Sequence, residues 1–282
     1  MESHTHDEAC GAFTAAFLRK DGALDLRNIS WSGSVGSLAS DGAFLKSTFP
    51  VDGDVYYLKL SAYDSYRGIF GHESVNELIA CRLGELLGFR VARGILTDAL
   101  VRIDGTVYRA PVFVSRSFKT TDSRASFEDF YISHRDTIRE SPFAFSVRYG
   151  WKTDIFMMFI FDYLIINRDR HGGNLEVLKN DNLTLSPLFD HGLSFACTCY
   201  DDADIDRFDI AADRSVNNFV GERSLEKNLA LIDTRLPFGR LKKTHRELLF
   251  ADVGDLLSPS HKDKIWEIIT TRWKNVEKFR LT

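Results

Sequence analysis

The residue pattern predicts an α+β chain of two lobes, the first rich in strands and the second in helices. Three observations lead there. Short β-branched and aromatic runs, broken by Gly and Asp turns, crowd the stretch from Val55 to Val114. Apolar residues at helical spacing dominate from Ser126 onward. Between a buried helix and a hairpin in the second part lies a dense polar stretch, Asn167 to Asn174. Strands and helices that segregate along the chain, instead of alternating, indicate α+β organisation. The expected division is residues 1–115 for the first lobe and 116–282 for the second.

The chain has 282 residues, 44% of them hydrophobic and 12% aromatic, enough to bury a large core or two smaller ones. Its net charge of −4 argues against a general nucleic-acid binder, which would carry a basic excess. Cys10, Cys81, Cys197 and Cys199 form no paired framework and no secretory leader opens the sequence, so a reducing cytoplasm is expected. Cys197-Thr198-Cys199 lacks the second pair or histidine cluster of a metal site and reads as ordinary thiols. The most apolar window, Ile155 to Ile166, contains Asp162 and falls well short of the ~20 residues that cross a bilayer. It reads as a core helix, and no membrane span is expected.

Taken in order, the elements are as follows. The first residues, to about Asp25, include His4, His6, Asp7 and Glu8 and read as a frayed, solvated terminus with a short helix over Gly11 to Lys20. Trp31 to Leu38 and Ser40 to Lys46 mix glycine and serine with apolar positions. Glycines allow backbone amides close to phosphate oxygens and serines add donors, so Ser34 and Gly36 are candidate phosphate contacts. No Gly-Lys-Ser/Thr closes the stretch, so it is not a Walker A loop. Val55 to Leu60 reads as a strand carrying Lys59, placed like the lysine of a V-A-I-K strand. Val75, Leu78, Ile79, Leu83, Leu86 and Leu87 define a helix from about His72, stopped by Gly88, with Glu73 and Glu77 on one face. Val91 to Leu100, Val101 to Ile103 and Val107 to Val114 complete a small antiparallel sheet, with a turn at Asp104-Gly105. Pro111 to Ser117 reads as the connector between lobes. Helices follow over Ser126 to Arg139, Trp151 to Ile166, Ser224 to Ile232, Leu241 to Phe250 and Ser260 to Phe279, the last announced by Ser258-Pro259.

The centre has the layout of a phosphoryl-transfer site. Such chemistry needs a carboxylate to orient the attacking hydroxyl and oxygen ligands to hold Mg²⁺ against the phosphates. Asp169 and Asn174 stand in the spacing D-x-x-x-x-N of a kinase catalytic loop, and Asp190-His191-Gly192 follows where kinases have D-F-G. Leu175 to Leu178 and Leu183 to Leu185, joined by an Asn/Asp turn, form a hairpin that returns Asp190 to Asn174, so both can ligate one hard cation. Asp169 is thus the candidate catalytic residue and Asn174 and Asp190 the candidate metal ligands. Arg168 and Arg170 can contact a phosphate or fix the loop by pairing with a carboxylate. His171 reads as a hydrogen-bonded structural residue, and His191 as one that packs or bonds locally.

Asn167-Arg168-Asp169-Arg170-His171-Gly172-Gly173-Asn174, with Leu185 to Gly192, resembles the HipA-like kinases, relatives of the phosphatidylinositol 3/4-kinases. The resemblance runs from the Gly/Ser stretch to Asp190, about half the chain. It implies a two-lobed protein-kinase-like (HipA/PI3K-like) fold, ATP and Mg²⁺ as cofactors, and serine/threonine phosphorylation of a protein substrate. It further implies Glu77, matched through Asn76-Glu77, as the ion-pair partner of Lys59, with Glu73 in reserve, and adenine contacts near Phe113 to Ser115. An antitoxin or other regulatory partner also follows from it. D-H-G and the chain length depart from the family. The alternatives left open are a lipid or small-molecule phosphotransferase and a non-catalytic nucleotide-binding protein. Asp201 to Asp213 adds an acidic stretch beyond Asp190, near where that family binds substrate.

Overall fold

The computed structural model describes residues 4–35, 43–118, 124–179 and 182–281. Helix α1 (His4–Phe17) occupies the terminus predicted to fray. It is held there because Cys10 and Phe13 are buried against the sheet, with Tyr56, Leu58, Val101 and Val112 in one cluster. Strands β1 (Leu24–Leu26), β2 (Ser32–Val35), β3 (Ala43–Val51), β4 (Asp54–Asp64) and β5 (Gly68–Ile69) precede helix α2 (Glu73–Leu86). Strands β6 (Gly94–Ile103) and β7 (Thr106–Arg116) follow. Together they form a 7-stranded sheet in the order β1-β6-β7-β4-β3-β2, with β5 pairing β4. The sheet is antiparallel except that β1 runs parallel to β6, a departure from the expected wholly antiparallel arrangement.

Alternation along β4 and β7 sorts side chains between two faces. Leu58, Leu60, Val112 and Val114 turn to the α1 face. Phe113 turns the other way, into a second cluster with Val75, Leu78 and Leu83 of α2. Lys59 lies directly opposite Phe113, and therefore also looks toward α2. Leu87 closes α2 and Gly88 follows at φ 75°, the left-handed position glycine favours after a helix. The predicted connector, Pro111 to Ser117, is mostly the second half of β7: strand pairing to β4 and β6 continues through Arg116 and Ser115 respectively.

The second part begins with β8 (Arg124–Ser126) and helices α3 (Phe127–His134), α4 (Pro142–Arg148) and α5 (Lys152–Ile165). Ser126 caps α3 by accepting from Asp129 N, and α3 stops at Arg135, short of the predicted Arg139. Helix α4 was not expected; Ser141 caps it and Pro142 sits in its first turn. Strands β9 (Asp169–Arg170), β10 (Glu176–Lys179) and β11 (Leu183–Leu185) surround the polar centre. The hairpin β10–β11 forms as predicted and gains β8 as a third strand. Helix α6 (Asp202–Asp206), β12 (Asn217–Asn218), α7 (Leu225–Ala230), α8 (His245–Leu249) and α9 (Pro259–Val276) complete the chain. The acidic stretch therefore holds a short helix, α6. Helix α5 is apolar nearly all round, and α7 and α9 pack on it.

A short strip of backbone is one of the places where the two parts meet. Leu188 N donates to Arg90 O at 2.7 Å, and Ala92 N donates to Leu188 O at 2.7 Å, around a parallel bridge between Val91 and Leu188. Cys10, Cys81, Cys197 and Cys199 are buried thiols. No helix among the described residues is long and apolar enough to cross a membrane.

Candidate active site

Helix α5 delivers the polar centre. Its cap, Ile166, adopts φ 51°, a left-handed conformation that a β-branched residue avoids unless its surroundings impose it. Here they do: Asn167 N donates to Asp162 O at 2.9 Å and Ile166 is wholly buried. The chain turns sharply and Asp169 emerges one residue after Arg168.

A buried guanidinium holds this turn. Arg170, 1% exposed, donates to both oxygens of Asp162 at 2.8 and 3.1 Å. It also donates to Asn174 O at 3.1 Å and Phe189 O at 2.7 Å. Its remaining contact is His191 Nδ1 at 3.2 Å. One side chain thus ties α5, the end of the Asp169–Asn174 loop and the Asp190 segment together. Of the two readings open for Arg170, fixing the loop is the one the geometry supports. Arg168 reaches Cys197 Sγ at 2.8 Å instead. His191 is buried beside Phe161 in an edge-to-face contact. Burial, with the Arg170 and Lys59 cations nearby, holds its imidazole neutral, well below the usual histidine range.

Five of the predicted residues converge on one cleft of about 400 Å³, the size of a small-molecule site: Lys59, Glu77, Asp169, Asn174 and Asp190. Lys59 Nζ lies 2.5 Å from Glu77 Oε1 and 2.9 Å from Asp190 Oδ1. Burial alone would lower the Lys59 ammonium; Asp190 and Glu77 outweigh it and raise it. Burial would likewise raise the Asp190 carboxyl, but Lys59 and then Lys46 hold it far below the usual carboxylate range. Asp190 itself sits at φ 62°, so this segment, like Ile166, keeps a backbone that its packing must enforce. Asn76 does part of that work, donating to Gly192 O at 3.1 Å and Ser194 O at 3.2 Å and so pinning the segment to α2.

On the opposite wall Asn174 Nδ2 donates to the backbone oxygen of Asp169 at 2.9 Å. His171 bonds within its own loop, its Nδ1 accepting from Gly173 N at 3.0 Å, as a structural residue should. Phe113 and Ser115 do not line the cleft, because β7 continues past them and Phe113 is taken into the core against α2. Ser34 lies on β2, its backbone opposite Phe44 on β3, and Phe44 does line the cleft. Gly36 lies outside the described residues.

The sequence left Glu73 and Glu77 as rivals for Lys59, and one helical turn separates their fates. Glu73 Oε2 accepts from Ala62 N at 3.1 Å while its other oxygen is buried without a partner. Burial pushes its carboxyl up to about 7 from 4.5. A raised carboxyl costs the folded state stability once the unfolded chain ionises, so the cost grows from pH 4.5 to about 7 and is constant above. Glu73→Gln should therefore gain on wild type by on the order of 3 kcal/mol between about pH 4 and about pH 8. Chemical denaturation at both pH values checks it; an offset that does not change with pH would refute the protonation argument.

Three polar cleft residues escaped the sequence reading. Lys46 Nζ lies 2.8 Å from Asp190 Oδ2, brought there because Lys46 pairs directly with Lys59 across β3 and β4. Asn217 Nδ2 donates to Asp169 Oδ1 at 3.0 Å. Glu128, on the first turn of α3, lines the same cleft. The Lys46 signal was present only as a polar residue in an apolar run, and Asn217 gave none.

No family model matches the chain, and no curated protein matches it. Among solved structures it is similar to the Helicobacter pylori proinflammatory kinase CtkA, at 16% identity and a TM-score of 0.54, over 90% of this chain and 95% of that one. It is also similar to WaaP in complex with acyl carrier protein, at 13% identity and TM-score 0.39, covering 89% of this chain and 90% of that one. A third is Rad53 1-466 in complex with AMP-PNP, at 15% identity and TM-score 0.35, covering 88% of this chain and 62% of that one. The likeness to CtkA bears on the fold alone. By that likeness and its own α+β architecture, the chain has a protein-kinase-like fold.

Proposed function

We propose that the chain is an ATP- and Mg²⁺-dependent phosphotransferase, a HipA-like serine/threonine protein kinase that moves the γ-phosphate of ATP to a protein hydroxyl. The observation that carries this reading is the meeting of Lys59, Glu77, Asp169, Asn174 and Asp190 in one cleft. In it residues 1–115 supply the nucleotide grip and residues 116–282 the chemistry.

The residues fit a hard divalent cation. Both oxygens of Asp190 already face cationic nitrogens, Lys59 at 2.9 Å and Lys46 at 2.8 Å, which stand in for the positive charge of a metal. Asn174 and Asp190 would hold Mg²⁺, a carboxylate and an amide oxygen leaving room for phosphate and water ligands. When bound, Mg²⁺ would neutralise charge on the phosphates. Lys59, fixed by Glu77, would then bind phosphate oxygens, and Lys46, with a 40% exposed side chain, is free to swing from Asp190 to the same polyanion. Phosphate contacts from Ser34 and Gly36 belong to this proposal; the backbone near Phe113 to Ser115, paired to β4 on one side and β6 on the other, is left out of it.

Asp169 orients the acceptor hydroxyl and takes its proton. The acceptor oxygen bonds to the γ-phosphorus, the bond from that phosphorus to the bridging oxygen breaks, and its electron pair leaves with ADP. The test is transfer of labelled γ-phosphate from Mg²⁺-ATP to the protein itself, to lysate proteins and to phosphoinositide vesicles. Label in protein is the expected result. Label in lipid alone would replace the acceptor class, and no label despite ATP binding would replace the enzyme by a nucleotide-binding protein.

A further inference from the structure

Asp169 has two carboxylate oxygens, and the structure treats them differently. Oδ1 accepts from Asn217 Nδ2 at 3.0 Å. Oδ2 has His171 Nε2 at 4.0 Å, beyond hydrogen-bond range. The amide comes from the far side of the acidic segment, on β12, which runs parallel to β9 with Asn217 beside Asp169 and Asn218 beside Arg170. Asn217 N donates to Arg168 O at 2.9 Å and Phe219 N to Arg170 O at 3.0 Å, so the backbone fixes the register that puts the amide there.

The segment is seated by contacts remote from the cleft. Arg272 Nη2 donates to Ile210 O at 3.3 Å, and Ser224 Oγ donates to Asp213 Oδ2 at 2.6 Å. Val216 N donates to Arg223 O at 3.3 Å just before Asn217. Asn218 Oδ1 closes the turn after it, accepting from Val220 N at 3.1 Å and Gly221 N at 2.8 Å. The amide is therefore presented by a fixed frame on both sides.

We propose that Asn217 is the positioning residue for Asp169: its amide engages one carboxylate oxygen and leaves the other for the acceptor hydroxyl. The proposal rests on the phosphotransfer reading above. A neutral amide suits the task. It orients the carboxylate through one donor without adding a positive charge that would weaken it as a proton acceptor.

The test compares Asn217→Ala with Asn217→Leu. The second keeps the size of the side chain but removes the donor to Asp169 Oδ1 without adding a charge. Were Asn217 only a spacer, the leucine variant would work as the wild type does. As a donor, it must lose as the alanine variant loses. In steady-state transfer of γ-phosphate, both variants should lose about 10- to 100-fold in kcat, with KM for ATP and the ATP-induced thermal shift within about twofold of wild type. Wild-type kcat in the leucine variant would overturn the proposal while leaving the kinase reading intact. Absence of transfer by the wild-type protein would overturn both.

Discussion

Asp169→Asn is expected to cut phosphotransfer by about 100- to 10,000-fold, the usual worth of a positioned general base, with ATP affinity unchanged. The substituted amide has nearly the same shape and can still accept a hydrogen bond from Asn217, but it cannot take the acceptor proton. Lys59, Glu77, Asn174 and Asp190 all remain, so nucleotide and metal binding should survive. The loss should appear in kcat and kcat/KM alike, as it does when an interaction belongs to the transition state. Rapid-quench transfer set beside ATP-binding calorimetry separates the two quantities. Transfer at the wild-type rate would remove Asp169 from the chemistry, and a parallel loss of ATP binding would mean that the loop had moved.

The second large effect concerns stability. Arg170→Met strips the guanidinium from Asp162, where each side chain is 1% exposed, and withdraws donors from the carbonyls of Asn174 and Phe189. An uncompensated buried charge of this kind costs about 3–5 kcal/mol. Against a typical domain stability of about 5–15 kcal/mol, that brings the protein close to unfolding. Combining it with Asp162→Leu should recover part of the loss, since the stranded carboxylate goes too. Urea denaturation of the two single variants and the double variant supplies the coupling. A single-variant loss below about 1 kcal/mol would show that the buried pair is dispensable.

The legible part of this protein was whatever lies close together in sequence. Asp169, Asn174 and Asp190 are spaced by a tight loop and a hairpin, and both are written in local residue choice: glycines after His171, an Asn/Asp turn after Lys179. The strand bearing Lys59 and the helix bearing Glu77 follow from periods of two and of about 3.6 residues. Periodicity could not rank Glu73 against Glu77, because both share a face, and only the height of α2 above β4 decides which meets the lysine. Lys46 arrives by cross-strand register and Asn217 by a parallel pairing to a segment 48 residues away; the first leaves only a polar residue in an apolar run and the second no local pattern. Short helices such as α4 and α6 present too few turns for an apolar stripe to declare itself.

The backbone strip at Arg90, Ala92 and Leu188 is a mooring. It joins the end of the turn that leaves α2 to the residue just two before Asp190, through two short hydrogen bonds and one bridge. It does not act alone: Gly239 N donates to Leu87 O at 2.7 Å, Arg82 donates to Leu249 O at 3.2 Å, and Asn76 holds Gly192 O at 3.1 Å. Both ends of α2 are thus moored to the second part. Sliding of α2 would break bonds at every mooring, so the separation of Glu77 from Asp190 is set by these ties and not by what fills the cleft.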